Sequence, residues 1–306
     1  MTGAKPTKPR TSEAGGSGAL VLVATPIGNL GDLSPRAVAE LRAADVIAAE
    51  DTRRTRKLLS HAAIPAAGRL RAVHAHNEQS EATRIVDLVR GGARVVYVSD
   101  AGTPGVSDPG ERLVQACIQE GLTVEAVPGP SAVLAALVVS GLPTTPFVFE
   151  GFLARKGSAR SQRIAAMLAS PATTVILESP VRLGATLAEL RDVLGDARRA
   201  VVARELTKLH EEVLRGTLGE LADAIAARPR RGECVIVVGP VVPDEPKAVD
   251  DSEIRSALER ALASGASRRD AAAGVAAELG VAKRRTYELA VALPSSEPFA
   301  PPFRAP

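Results

Sequence analysis

The chain has 306 residues, enough for two domains with cores of their own, and its net charge is only +3. Apolar residues make up 45% and aromatics only 2%, with no Trp, so small aliphatic side chains must do the packing. No apolar run reaches membrane-spanning length, residues 1–10 lack the apolar core of a signal peptide, and Cys117 and Cys234 sit in apolar segments as buried thiols. A cytoplasmic protein is expected, with no membrane span, disulfide or metal pair.

Residues 1–18 read as a disordered basic lead-in. Residues 19–24 are a buried strand ending in a glycine-bearing loop, Thr25-Pro26-Ile27-Gly28-Asn29-Leu30-Gly31. Ser34-Pro35 supplies an N-cap with proline at the first helical position, and the helix runs to about Ala43. Strand 46–49 closes on Glu50-Asp51-Thr52-Arg53-Arg54, a basic helix follows to about Leu59, and a short strand at 71–75 meets His76-Asn77-Glu78. Read as alternate residues of that strand, His74 and His76 point one way, but no third ligand accompanies them. Helix 81–90 leads into strand 94–99.

After that strand comes Asp100-Ala-Gly-Thr-Pro-Gly-Val-Ser-Asp108-Pro-Gly110, a loop with three glycines, two prolines and two aspartates. Helix 111–120 follows, closed by Gly121. Strand, rigid loop, helix is the unit that holds ligands at the carboxyl end of a parallel sheet, and this loop is longer and richer in Gly and Pro than an ordinary turn. It is expected to bind a ligand, with Asp100 offering a carboxylate at the strand tip. Strand 123–127 then meets Pro128-Gly129-Pro130-Ser131, where Ser131 caps a helix to Ser140.

The regular alternation makes residues 19–141 an α/β domain with a largely parallel sheet. A second set, 142–240, has strands at 147–150, 173–177, 200–204, 211–215 and 233–238 and helices at 158–168, 181–194 and 217–227. Its strands crowd closely, so a mixed sheet is expected. Thr217-Leu-Gly-Glu220 is a capping box. Residues 241–249 form an acidic linker, and 250–293 give three short helices at 252–262, 267–279 and 283–293. The last two form a helix-turn-helix pattern, with Arg268, Arg269, Lys283, Arg284 and Arg285 near the helix starts, where a phosphate backbone could be met. The competing reading is a helical cap with solvated charges. Residues 294–306 are a loose Pro- and Ser-rich tail.

No phosphate-binding Gly-rich motif, no dinucleotide fingerprint, no Gly-x-Ser-x-Gly elbow and no metal-ligand spacing is present. What remains is a ring of strand-tip loops with hydroxyls, carboxylates and a few cations. Such a ring suits a cleft for a small polar organic molecule.

Seven of these segments carry a resemblance: Val23-Ala-Thr-Pro-Ile-Gly-Asn-Leu30, Ala49-Glu-Asp-Thr-Arg53, His76-Asn-Glu78, Val98-Ser-Asp-Ala-Gly-Thr-Pro104, Pro128-Gly-Pro130, Glu150-Gly-Phe-Leu153 and Arg204-Glu-Leu-Thr-Lys208. In this order, from about residue 19 to 293, the chain resembles the ribosomal RNA small subunit methyltransferase I family of the tetrapyrrole methylase superfamily. The resemblance implies two α/β domains of the tetrapyrrole methylase type with an S-adenosylmethionine cleft between them, a small C-terminal helical domain, and a homodimer. It implies methyl transfer to the ribose 2′-OH of a cytidine in the decoding region of 16S rRNA, as free RNA or in the small ribosomal subunit. By position, Pro26, Ile27, Gly28, Asp100, Ala101, Gly102, Thr103, Ser131, Ala132, Glu178, Ser179 and Leu206 would line the cofactor.

A neutral ribose hydroxyl is a poor nucleophile, so a base should assist. Candidates are His76, Glu78, Glu50 and Asp51, with Lys208 and Arg53 placing phosphate or lowering the hydroxyl pKa, and Arg53 and Arg54 joining the RNA contacts. Glu50 and Asp51 have a second reading as helix caps, and His76 as a hydrogen bond across the cleft. Phe152 and Tyr287 are the candidates to stack the target base, whereas Phe147 and Phe149 should face the core. Two rival functions remain: methylation of a tetrapyrrole by the same fold, and a non-enzymatic nucleic-acid-binding protein.

Overall fold

Alternating apolar runs and capped helices build two separate five-stranded sheets in the computed structural model, which describes residues 18–66, 68–241 and 249–294. The lead-in before Gly18, most of the acidic linker and the tail beyond Pro294 lie outside the described residues.

The first sheet comes from β1 (Ala19–Val23), α1 (Pro35–Ala43), β2 (Val46–Ala49), α2 (Thr52–His61), β3 (Leu70–Ala72), α3 (Glu78–Arg90), β4 (Arg94–Val98), α4 (Glu111–Gln119) and β5 (Thr123–Val127). Its order is β3-β2-β4-β1-β5 and every pairing is parallel, as expected. The inner strands β1, β2 and β4 are largely buried because α1 and α2 cover one face and α3 and α4 the other, while the edge strands β3 and β5 keep exposed positions. β1 and β4 are neighbours whose following helices lead away in opposite directions, so their tips form a switch point where a crevice opens. There the two loops zip together: Thr25 and Gly102 exchange backbone hydrogen bonds of 2.8 and 3.0 Å.

Helix α5 (Ala132–Ser140) is apolar on every side, and it leaves the first sheet to pack on the second. Val133, Ala136 and Leu137 meet Val175, Val201 and Val237 in one buried cluster. The second sheet holds β6 (Phe147–Phe152), β7 (Thr173–Glu178), β8 (Arg199–Arg204), β9 (Glu212–Thr217) and β10 (Cys234–Val238), in the order β6-β7-β10-β8-β9. Helices α6 (Ser158–Ala166), α7 (Leu183–Leu194) and α8 (Leu218–Ala227) cover its other face, with Ile164, Leu187 and Leu221 in that core. The sheet is mixed, as its crowded strands suggested: β6 and β7 are parallel and the remaining pairings antiparallel. The carboxyl ends of β6, β7 and β8 therefore share one edge. The Thr217–Glu220 capping box forms as expected, and both cysteines are buried.

Three expectations change. β3 ends at Ala72, so His74 and His76 lie in the turn beyond it and share no strand face; their rings meet edge-on at 6.0 Å. The Asn77 side chain organises that turn, accepting from the His74 amide and donating to Ala72 O, and α3 starts at Glu78 instead of residue 81. Phe149 faces the core, but Phe147, on the same face, is 39% exposed because it opens an edge strand at a point where neither face is covered.

Residues 249–294 form a second unit of three helices, α9 (Asp251–Ala263), α10 (Arg268–Glu278) and α11 (Lys283–Ala292). Ile254, Leu258, Val275 and Leu289 fill its own small core. No described helix is long and apolar enough to cross a membrane.

Candidate active site

Strand tips converge on the crevice beyond β1 and β4. Ile27 from the first loop and Leu206 from the turn after β8 are buried in one apolar cluster, with Ala101 and Ala132 packed against it. Four of the residues expected to line a cofactor, three from different strand-tip loops and one from the start of α5, are thus brought together. Gly28 allows the closest approach: a Cβ there would overlap Lys208 Cγ and stand 2.8 Å from Thr207 Oγ1. Thr207 Oγ1 is itself buried with no hydrogen-bond partner. Two residues of this turn, Glu205 and Thr207, hold positive φ angles of 50° and 67°, conformations that cost energy in a residue with a side chain. A cavity of about 150 Å³ opens at the tips of β1 and β4, lined by Thr25, Pro26, Leu30, Arg54, Ser99 and Asp100 among others. A larger groove of about 750 Å³ runs between α3 and α4, but it holds none of the candidate residues.

The carboxylates form a connected set. The Asp51 amide donates to Asp100 Oδ1 at 3.0 Å, and the Asp100 amide donates to Glu50 Oε2 at 3.3 Å. Arg54 reaches Asp100 Oδ2 at 3.4 Å, so this cation turns inward. Burial, with the charges of Asp100 and Asp51 adding to it, raises the Glu50 pKa despite the Asp100 amide and Arg54. Asp108 lies in the same region. Burial first, then the charges of Glu50 and Asp100, push it up to about 6 against a hydrogen bond from Ser99. Asp51 goes the other way: bonded to Arg53, it falls to about 2, and it caps α2 through the Arg53 amide.

Several candidates have structural tasks instead. Glu78 is buried and its Oε1 accepts from the amides of Gly110, Arg112 and Leu113 at 2.9, 3.0 and 3.3 Å, so that oxygen anchors the start of α4. Glu178 is equally occupied, accepting from the Ser179 amide, Arg182 and the Thr186 hydroxyl, so its carboxylate does not line a cleft. Ser179 supplies its carbonyl to the start of α7, and Ser131 caps α5 through the Leu134 amide. Lys208 is ion-paired to Glu205 at 2.9 Å and Glu233 at 3.0 Å, which removes it as a free cation. Burial works to lower its pKa, but those hydrogen bonds outweigh burial and raise it. His76 is exposed and no hydrogen bond among the described residues ties it to the carboxylates.

The family model of tetrapyrrole (corrin/porphyrin) methylases matches residues 19–222. The chain belongs to the tetrapyrrole methylase family. Ribosomal RNA small subunit methyltransferase I of Mycobacterium tuberculosis is 47% identical over 273 residues, 89% of this chain and 94% of that protein. The enzyme of the same name from Synechocystis sp. is 41% identical over 90% of this chain and 98% of its own length. The kinship expected from the seven segments therefore holds. Cobalt precorrin-4 methyltransferase shares the fold, with a TM-score of 0.58 at 18% identity, over 76% of this chain and 98% of that one.

In this methylase the cations of the helical unit are unequally available. Arg268 donates to Val291 O and Leu293 O, closing the end of α11, and Arg285 is held by Asp251 and Val249 O. Arg284 pairs with Glu288 along its own helix. Arg269 and Lys283 are exposed with no ion pair among the described residues. Arg53 is 84% exposed at its side chain although it touches Asp51. Sequence reasoning passed over Asp108, Ser99 and Thr207. Their places in the sequence signalled them: Asp108 and Ser99 in and before the 100–110 loop, Thr207 in the Arg204–Lys208 segment.

Proposed function

We propose that the chain transfers the methyl group of S-adenosylmethionine to the ribose 2′-OH of a cytidine in the 16S rRNA of the small ribosomal subunit. The observation that carries this reading is the agreement along some nine-tenths of the chain with enzymes named for small-subunit rRNA methylation. The residues fit the cofactor: an apolar wall of Ile27, Ala101 and Leu206, an unpartnered Thr207 hydroxyl, and the Asp100 carboxylate at the mouth of the crevice. When bound, S-adenosylmethionine supplies an activated methyl on a sulfonium centre. Much of the acceleration then lies in aligning donor and acceptor.

Within that reading Asp100 orients the cofactor and Glu50 takes the proton of the acceptor hydroxyl. Its raised pKa makes Glu50 a better base than an ordinary carboxylate, whereas Asp51 is weakened by Arg53 and Glu78 is tied to the start of α4. RNA contacts come from Arg53, Arg269 and Lys283, with Arg284 joining by exchanging its surface pair. Association of two copies is supported by α5, where Leu134 and Val138 are 52% and 69% exposed on a helix with no polar face.

Mapping 2′-O-methylation of rRNA with and without the protein tests the activity. Glu50→Gln should keep cofactor affinity by calorimetry and lower the turnover rate roughly 100-fold, removing the acidic limb of its pH profile. Asp100→Ala should lose cofactor binding. Methyl incorporation into a porphyrinoid but not into rRNA would overturn the proposal.

A further inference from the structure

One segment of the second sheet has chemistry that the cofactor crevice does not use. Aromatic residues make up only 2% of the chain, yet Phe152, the last residue of β6, is 54% exposed. Leaving a phenyl ring in water forgoes the burial that most Phe side chains gain, so an exposed Phe beside charges calls for an explanation. Behind it, Ala154, Arg155 and Lys156 are all exposed, and neither cation has a hydrogen bond or ion pair among the described residues.

The backbone under these side chains is not loose. Arg182 donates to Leu153 O at 2.9 Å, and Arg160 donates to Ala154 O at 3.1 Å. Arg160 is itself buried and locked by Glu189 and the Thr186 hydroxyl. Two arginines therefore clamp the carbonyls of residues 153 and 154 to the α7 side, and the next two side chains are directed into solvent. Gly157 then leads into α6 without a side-chain cap, and no acidic residue stands in the first turn to oppose an anion.

The segment also adjoins the loop with which the cofactor crevice is built. A Cβ on Gly151 would lie 3.0 Å from Ser107 Oγ, so the 100–110 loop reaches across to β6, one residue from Phe152. β6, β7 and β8 end at the same edge, which brings Phe152 to the side that also carries the turn of Leu206 and Thr207.

We propose that residues 152–156 seat the single-stranded stretch of RNA that carries the methyl acceptor, with Phe152 offering its face to a base and Arg155 and Lys156 holding backbone phosphates. The inference rests on RNA being the acceptor. A stacking face with adjacent cations on a rigid backbone is the combination by which proteins hold unpaired strands. The set is sequence-tolerant, so it positions the strand and leaves the choice of nucleotide to the crevice.

The test uses the full chain, labelled S-adenosylmethionine and small ribosomal subunits lacking the modification, over a series of KCl concentrations. The R155A/K156A variant should raise KM for subunits about tenfold and make the log–log salt slope shallower by about 1.4, from roughly 0.7 for each single-strand phosphate contact. Cofactor affinity by calorimetry should be unchanged, which reports an intact fold. R155K/K156R should keep the wild-type slope. Phe152→Ala should raise KM roughly tenfold with the slope unaltered, and Phe152→Trp should restore it. Unchanged KM and slope in the variants, with the wild type active on subunits, would overturn this inference alone. A raised KM with an unchanged slope in R155A/K156A would also overturn it, since the cations would not then be reading phosphate. A wild type that leaves subunit RNA unmethylated would remove both the inference and the functional reading.

Discussion

Asp108 makes the electrostatics of the crevice measurable. Its carboxyl is held at about 6 in the folded chain instead of the ordinary 3.8, first by burial and then by the charges of Glu50 and Asp100. A folded pKa above the unfolded one means that the native state favours the protonated acid. Its stabilising contribution is complete below 3.8 and is lost as the pH rises through about 6. At 1.36 kcal/mol per pH unit, the penalty for ionising Asp108 approaches ~3 kcal/mol at pH 8 and is about half of that at pH 5. Part of the residue remains in contact with water, which lowers the expected values to about 2 and about 1 kcal/mol. Asp108→Asn keeps an oxygen to accept from Ser99 and removes the charge. It should therefore raise the melting temperature by about 5 °C at pH 8 and about half as much at pH 5, followed by circular dichroism. An equal shift at both pH values, or a less stable variant at pH 8, would refute the reasoning.

Glu78→Ala should destabilise the chain by about 3 kcal/mol in urea unfolding, because the amides of Gly110, Arg112 and Leu113 lose a buried acceptor; a loss within 0.5 kcal/mol, roughly the spread of neutral surface changes, would return Glu78 to the candidate bases. Replacing Leu134 and Val138 together by Lys should convert a dimer into monomers in sedimentation without lowering the melting temperature, since both side chains are exposed in the single chain. A wild type already monomeric at micromolar concentration would refute that surface as an interface.

Much of the frame was readable because it is governed by local rules. Ser34, Ser131 and Thr217 cap the helices they were expected to cap, and the parallel first sheet follows from regular strand–helix alternation. The apolar part of the crevice, Ile27, Ala101, Ala132 and Leu206, was legible as a group, since strand-tip loops rich in Gly and Pro mark the ends of parallel strands. The roles of single carboxylates and cations were not readable. Glu78 and Glu178 look like site acids until the amides and hydroxyl that they accept from are seen, and those donors come from residues as far as 35 positions away. Arg54 turns to Asp100 and Lys208 to Glu233, pairings decided by tertiary approach and not by sequence spacing. The packing of α5 on the second sheet was hidden for a related reason: a helix apolar all round has no face that declares its partner.

The arrangement of charge argues for two separate routes into one crevice. Glu50, Asp100 and Asp108 gather at the tips of β2 and β4, and a cationic sulfonium is favoured beside such a wall whereas an RNA phosphate is repelled. Arg54 offsets part of that field through its 3.4 Å pair with Asp100. Unpaired cations among the described residues lie beyond β6, at Arg155 and Lys156, while Arg53 on α2 is exposed but paired with Asp51. An RNA strand held by phosphates at Arg155 and Lys156 stays clear of the acidic tips and presents only a sugar to them. The ribose hydroxyl is neutral, so it can approach Glu50 without the repulsion that its flanking phosphates would meet. On the proposed reading, raising the Glu50 pKa by burial and neighbouring acids would serve two ends at once, a stronger base and a crevice that prefers the cationic cofactor.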